Sequence, residues 1–303
     1  TSGAAATLLG KIYLRNHDYA NAKTYIDMVL NSGQYELESD FKYVWSENNK
    51  YGKEMIFALL HETGNNAAEI ACHFGPSDHP EVPGRWQYYG VSLPFWRSYD
   101  KEDPRREFFY YDYTGDAKRD DQSDYGFHYM VPEEGVTVVP NDTTKYMQNV
   151  ATMKYTYDMI SDAYYDGRTI CIFRLSDVIL CKAEIENNLN GPAAALPYLN
   201  QIRARAGAPE YGKHNRFPAP STKEAMNDAI LKERGYELVF EFQRRADLIR
   251  FGKYEEVVNA HLKKLGIAQP TNVTSSLRYF PYPLNDAQLN PNLAAENPSR
   301  LPK

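Results

Sequence analysis

Disulfides, membrane spans and the common catalytic signatures are all missing from this sequence. Its three cysteines, Cys72, Cys171 and Cys181, are odd in number and form no C-x-x-C pair. Neither a disulfide framework nor a zinc ribbon can be built from them, and they read as buried free thiols. That leaves the compartment open, because disulfide-poor proteins occur on both sides of a membrane. No apolar run approaches the ~20 residues that a spanning helix needs. Positive charge is also short: 34 Lys and Arg against 40 Asp and Glu give a net charge of −6, with no polybasic block to follow a phosphate backbone. This argues against a nucleic-acid partner. No glycine-rich phosphate loop, G-x-S-x-G elbow or H-E-x-x-H helix occurs, and nothing calls for a cofactor.

What the chain has in excess is tyrosine. Its 25 Tyr join 13 Phe and 3 Trp to make 14% aromatic residues, in a chain whose mean hydropathy of −0.62 is distinctly hydrophilic. Many of these rings are expected at least partly on the surface. The 303 residues suffice for a sizeable core, as one large domain or two ordinary ones. The chain opens on Thr1, Ser2 and Gly3 directly before a helix-like stretch, without Met or a signal peptide. It reads as a fragment or processed product of something longer.

The stretch Arg174 to Pro209 predicts two helices folded back on one another. Leu175, Val178, Ile185 and Leu189 fall on one helical face, with Ser176, Asp177, Glu184, Asn187 and Asn188 largely opposite. Lys182 intrudes on the apolar face. Asn190 and Gly191 tolerate the left-handed conformation that ends a helix, and Pro192 suits the first turn of the next. A second copy of this hairpin lies at residues 4–34, where Leu9, Gly10, Tyr13, Ala22, Ile26 and Val29 have tetratricopeptide spacing. Small residues Gly10 and Ala22, like Ala183 and Ala195, mark where paired helices touch. Lys182 and Glu186 break the pattern in the later hairpin.

Between the hairpins, Met55–Leu60 predicts a short strand or buried connector, and residues 61–167 a loop-rich insertion holding most of the tyrosines. A helix resumes at Leu93 and stops before Asp103. After residue 209 a loop precedes Ser221 or Thr222, either of which can cap a helix running from Glu224 to Gly252. Glu241 with Arg245 and Arg244 with Asp247 have the spacing of helical ion pairs, although YELVFEF alternates like a strand. From Pro270 the chain is expected to be extended.

Five stretches together resemble the C-terminal part of a SusD/RagB-family protein, the surface glycan-binding lipoproteins of Bacteroidetes outer membranes. They are the opening hairpin through NSGQYEL and EMIFAL, WRSYDKEDPRREFF, FRLSDVILCKAEIENNLNGPAAALPYLNQIRARAGAP, ILKERGYELVFEFQRRADLIRFGKY, and the closing FPYPLNDAQLNPNLAAENP. Their order and spacing span almost the whole chain. The resemblance implies a mostly α fold of tetratricopeptide-like helix hairpins, an α-α superhelix, carrying a large aromatic-rich insertion. It implies one SusD-like domain over residues 1–303 without its N-terminal part, divided into a hairpin (1–34), the insertion (61–167), a hairpin (170–209), a helical segment (222–265) and an extended tail (266–303). It also implies an outer-membrane location on the extracellular face, a lipid anchor on the missing N-terminus, a glycan ligand, and a SusC-like TonB-dependent transporter as partner. Part of the family's glycan site falls in the missing half.

Sugars present apolar C–H faces and a ring of hydroxyls, so a glycan site needs flat aromatic platforms beside amide or guanidinium groups. The loop from Asn65 to Trp96 offers both: Trp86, Tyr88 and Tyr89 to stack, and Asn65, Asn66, Arg85 and Gln87 to hydrogen-bond. The competing reading is that Trp86 and Trp96 merely pin the loop, and it is stronger for Trp96 on its predicted helix. Tyr164 and Tyr165, in a turn-like sequence, read as surface rings. Glu233, Arg234, Glu237, Arg244, Arg245 and Asp247 read as a structural ion-pair network rather than a catalytic cluster. No catalytic residue is expected. A glycoside hydrolase needs two carboxylates across a cleft, whereas Asp116, Asp120, Asp121 and Asp124 crowd one polar loop. Cys72, His73, Asp78 and His79 lack the spacing of a standard zinc site, and no metal is assigned. The alternative to a glycan receptor is a tetratricopeptide adaptor, which requires consecutive repeats where these hairpins lie far apart in sequence.

Overall fold

The computed structural model describes residues 1–64, 70–76, 78–82, 86–115, 126–134, 143–158, 166–266, 273–274, 278, 280–290 and 292–293. The chain divides into two compact units, Thr1–Glu241 and Phe242–Lys303. The first opens with helices α1 (Ser2–Arg15) and α2 (Tyr19–Leu30) and strand β1 (Met55–Leu59). Short elements follow: α3 (Ile70–Phe74), β2 (Val91–Ser92), α4 (Leu93–Arg97), β3 (Phe109–Tyr110), β4 (Asp112–Thr114), β5 (His128–Met130), β6 (Thr144–Tyr146) and β7 (Asn149–Thr152). Strand β8 (Ile170–Arg174) then leads into α5 (Leu175–Asn190), α6 (Pro192–Arg205) and α7 (Lys223–Glu237). The strands form three small sheets: β1 antiparallel to β8, β2–β7–β3, and β4–β5–β6 with β5 and β6 parallel. No helix among the described residues is long and apolar enough to cross a membrane.

Local chemistry sets the helix ends. The Thr1 hydroxyl accepts from the Ala4 amide, Asp18 caps α2 through the Asn21 amide, and Thr222 caps α7 through the Ala225 amide. Gly191 turns the chain between α5 and α6 at φ 90°, a left-handed conformation that favours glycine. Gly10 lets α1 and α2 close, since a Cβ there would lie 2.8 Å from Ile26 Cδ1.

The two hairpins stack directly despite their separation in sequence, because α2 packs on α5. Their shared core joins Leu14, Ala22, Ile26 and Val29 to Val178, Cys181 and Ile185, with Ile56 of β1. Helix α5 is consequently enclosed by α2, α6, α7 and β8, and every residue from Leu175 to Asn187 is buried. This corrects the two-faced reading of that helix. Ser176, Asp177, Glu184 and Asn187 are inside, while Leu189 of the supposed apolar face is 44% exposed. Asp177 and Asn187 have partners on a neighbouring helix. Asn187 Nδ2 donates to Lys223 O and Asn227 Oδ1 of α7, and Asp177 Oδ1 accepts from Arg234 at 2.7 Å. Lys182 and Glu186, which interrupt the repeat pattern, clamp the stack: Lys182 Nζ lies 2.5 Å from Asp27 of α2 and 2.7 Å from Glu186, and Lys23 of α2 reaches Glu186 at 3.0 Å.

A second set of charges is buried where α5, α6 and α7 meet residues 103–105 and Lys154. Arg174, at the junction of β8 and α5, donates to Glu54 (2.6 Å), Glu237 (2.8 Å) and Glu241 (2.7 Å). Arg205 of α6 joins Glu54 at 2.8 Å and also reaches Glu237. Lys154 meets Glu241 at 2.6 Å, and Arg203 of α6 meets Glu233 at 2.7 Å. Arg105, in the single turn Pro104–Glu107, pairs with Asp103, Glu233 and Glu237. Five cations thus face five carboxylates, and none of these side chains is more than 5% exposed. The helical ion-pair reading of Glu233, Arg234 and Glu237 changes accordingly, because their described partners belong to other elements.

The helix expected to run from Glu224 to Gly252 stops at Glu237. Phe240 and Phe242 both take φ 60°, a costly conformation for a bulky residue. Tertiary contacts compensate at Phe240, whose carbonyl accepts from Tyr155 Oη at 2.8 Å and whose ring meets Phe74 at 5.0 Å. Glu241 is at the same time turned into the charge network. The second unit holds α8 (Arg244–Arg250), α9 (Tyr254–Lys264) and α10 (Leu284–Leu289). Asn259 of α9 exchanges two hydrogen bonds with the Val273 backbone, and Glu255 pairs with Arg278 at 2.7 Å. The tail is therefore not wholly extended, since it contains α10.

Removing Arg174 would leave three buried carboxylates facing one another. Arg174→Met is expected to lower unfolding free energy by about 3–5 kcal/mol, read from the urea midpoint. Acid should act in the same direction. Burial alone would raise the Glu186 carboxyl, but hydrogen bonds from Lys182, Asn190 and Lys23 bring it down to about 2 from its ordinary 4.5. Burial is likewise outweighed by Arg205 and Arg174 at Glu237, and by Lys11 and Arg234 at Asp177, both held well below the usual range. With folded values depressed, the unfolded chain binds protons first as pH falls. Stability should hold above about pH 5 and decline from there towards pH 2; a urea midpoint that stays constant through this window would contradict the assignment.

Candidate functional site

Helix α3 is short but firmly seated. The Ala71 amide donates to Asp166 Oδ2 at 3.0 Å, a carboxylate that is fully buried, and Phe74 packs against Tyr155 at 4.6 Å. His73 faces the other way and carries the loop that follows. Trp86 N donates to Cys72 O at 2.6 Å, and Tyr89 N donates to His73 O at 3.1 Å. Between them Gln87 adopts φ 51°, a left-handed bend that folds the loop around the histidine. Past the loop, Gly90 runs so close to β7 that a Cβ would lie 2.4 Å from Asn149 Oδ1 and 3.1 Å from Val150 O. The loop is thus fixed at both ends.

The result is a cluster of rings around one imidazole. Trp86 stands edge-on to His73 at 5.0 Å, Tyr88 at 5.5 Å, and Tyr89 lies nearly parallel to it at 6.2 Å. Trp86 and Tyr88 also touch, with centroids 5.4 Å apart. Trp86 is 37% exposed, Tyr88 66% and Tyr89 53%. An apolar surface of this kind, held rigid and left open to water, can accept the flat C–H face of a ring-shaped polar ligand. Trp96 differs in kind: it is buried, its Nε1 donates to Arg106 O at 3.2 Å, and the Arg106 guanidinium lies 4.0 Å over its ring. Trp96 pins the structure, as its helical position suggests.

Of the expected ligand-binding residues, Trp86, Tyr88 and Tyr89 are brought together, while Asn65, Asn66 and Arg85 lie outside the described residues, as do Tyr164, Tyr165 and the aspartates 116, 120, 121 and 124. His73 at the centre of the cluster is the residue that pattern reading passed over. Its only sequence signal was a place beside Cys72, Asp78 and His79. Those four residues divide instead: Cys72 Sγ lies 3.3 Å from His73 Nδ1, Asp78 Oδ1 accepts from Tyr113 Oη at 2.9 Å, and His79 packs on Tyr110 and Tyr113. Burial lowers the His79 pKa, and burial followed by Asp78 raises that of Tyr113. Among the described residues no three His, Cys, Asp or Glu gather to hold a metal. Cys72, Cys171 and Cys181 are buried free thiols. Several tyrosines are interior rather than superficial, including Tyr99, Tyr110, Tyr155 and Tyr236.

Comparison with known proteins places this geometry in a family. SusD-like protein P25 of Formosa agariphila is 39% identical over 120 residues, covering 40% of this chain and 22% of the relative. SusD-like protein P2 of the same organism is 25% identical over 318 residues, covering 98% and 59%. Among solved structures, surface glycan-binding protein A from Bacteroides thetaiotaomicron shares the fold with a TM-score of 0.69 at 22% identity, over 95% of this chain and 62% of that one. Its complex with laminarihexaose aligns with a TM-score of 0.67 at 20% identity, over the same shares. The chain therefore spans less than two thirds of the length of each of these relatives. The sequence profile of the SusD family matches residues 53–299, and the chain belongs to that family.

Proposed function

We propose that the chain is a non-catalytic glycan receptor, which stacks sugar rings on Trp86, Tyr88 and Tyr89 and orients them through neighbouring polar groups, among them Asn65, Asn66 and Arg85. The observation that carries this reading is the exposure of three rings gathered around His73, two of them in contact, on a loop whose backbone is hydrogen-bonded to α3. A preorganised platform gives up little conformational entropy when it binds. Family membership supports the same reading, as does the laminarihexaose complex of the solved relative. The receptor sits on the extracellular face of the outer membrane through a lipid anchor and passes oligosaccharide to a SusC-like TonB-dependent transporter. The hairpins form a tetratricopeptide-like scaffold within one SusD-like domain, and residues 61–167 are its binding insertion.

One observation favours a second reading, that of a protein-binding adaptor. The hairpins do stack directly, so their distance in sequence is no obstacle to a continuous helical array.

Calorimetric titration against soluble polysaccharides separates the two. Laminarin, starch, xylan and mannan form the panel, and Trp86→Ala should weaken binding to the recognised member about tenfold or more, the loss of one stacked ring. Unchanged affinity in that variant would remove Trp86 from the site and leave the adaptor reading ahead. Trp86→Ala should leave the unfolding midpoint close to that of the parent. Trp96→Ala, which empties a core position, is expected to cost about 3–5 kcal/mol of stability.

A further inference from the structure

We infer that the chain carries a second saccharide-binding cleft, on the helical scaffold and built from residues that the aromatic loop does not share. A cleft of about 500 Å³ opens where the end of α2, residues 35–37 and the facing sides of α5 and α6 meet. A neighbouring cleft of about 460 Å³ shares Glu36 and Leu37 with it as a common wall. Voids of several hundred Å³ are the size of small-molecule sites. The inference rests on the saccharide reading given above and extends it to a different part of the molecule.

The chemistry of the larger cleft is that of a hydroxyl-rich ligand with an apolar face. Leu30, Leu37 and the half-buried rings of Tyr35 and Tyr198 supply apolar surface, and the exposed side chains of Asn31, Glu36 and Gln201 supply amide and carboxylate groups. Lys182, also in the lining, has a side chain only 4% exposed, fixed by Asp27 at 2.5 Å and Glu186 at 2.7 Å, and its ammonium stands 5.7 Å from the Tyr198 ring centroid. A sugar hydroxyl donates and accepts at once. It is matched by the exposed amides of Asn31 and Gln201, which do both, whereas an ionic ligand would be matched by one sign alone. Because Lys182 is paired with Asp27 and Glu186, and Glu36 with Lys53 at 3.0 Å, the cleft favours neither an anion nor a cation, and a neutral oligosaccharide fits best. A peptide would instead call for a row of main-chain partners or a groove of one charge.

Two double variants test the cleft without disturbing the core: Tyr198→Ala with Gln201→Ala for the cleft, and Trp86→Ala with Tyr88→Ala for the platform. Each is titrated with laminarihexaose and with the polysaccharide panel. Two classes of site are expected in the parent chain. The platform variant should keep one class, which the cleft substitutions then weaken about tenfold or more. Cleft substitutions that change neither affinity nor stoichiometry would overturn the inference, and so would loss of all binding in the platform variant. Loss confined to the cleft variant would instead refute the platform reading and leave the cleft standing. No saccharide binding by the parent chain would overturn both. If Tyr198→Ala proves unstable by circular dichroism, Gln201→Ala alone, at the exposed rim, carries the same comparison.

Discussion

The structure depends on a guanidinium placed where water cannot reach it. Arg174 lies at the point where β8 becomes α5, and its five donors are taken up by Glu54, Glu237 and Glu241 together with the Glu237 carbonyl. A buried charge of this kind is tolerated only when its partners are complete, because the desolvation penalty is repaid by nothing else. Here the partners come from before β1, from the end of α7 and from the turn beyond it, and their own remaining oxygens are filled by Arg205, Arg105 and Lys154. Six segments distant in sequence must therefore arrive together. Such a network specifies one arrangement of scaffold and insertion, since a partial arrangement would strand charge in the interior.

That arrangement in turn decides where the binding surface can form. Phe240, turned out of helical geometry beside Glu241, packs beneath Phe74, and Phe74 is the buried face of α3. Across that five-residue helix, His73 holds Trp86, Tyr88 and Tyr89 towards solvent. One short helix thus links a charged interior to an aromatic exterior. The platform is rigid because its backbone is tied to α3 and Gly90 is wedged against β7, rather than because its rings are buried.

The hairpins were legible in the chain because their signals are local. Caps at Thr1, Asp18 and Thr222, the Asn190–Gly191–Pro192 turn, and the small residues at Gly10 and Ala195 act within a few residues of themselves or across one close contact. The surroundings of α5 were not legible. A helix enclosed on all sides can keep Asp177 and Asn187 only because Arg234 and Asn227 of α7 meet them, and no periodicity within α5 contains that information. His73 was missed for the same reason: a lone histidine acquires its role from rings that follow it by thirteen or more residues.

By itself, the sequence determined the two helix hairpins, the short-stranded character of the insertion, the free thiols and the aromatic loop that bears the candidate site, all of which follow from spacing, caps and composition. The tertiary structure decided that the hairpins stack on one another, that α7 ends at Glu237, that Trp96 is core while Trp86 is surface, and that Lys182 is a clamp rather than a flaw in a pattern. The physical reason is common to all four. Each is settled by what desolvates a side chain and what then satisfies it, and those partners come from segments that sequence spacing cannot bring together.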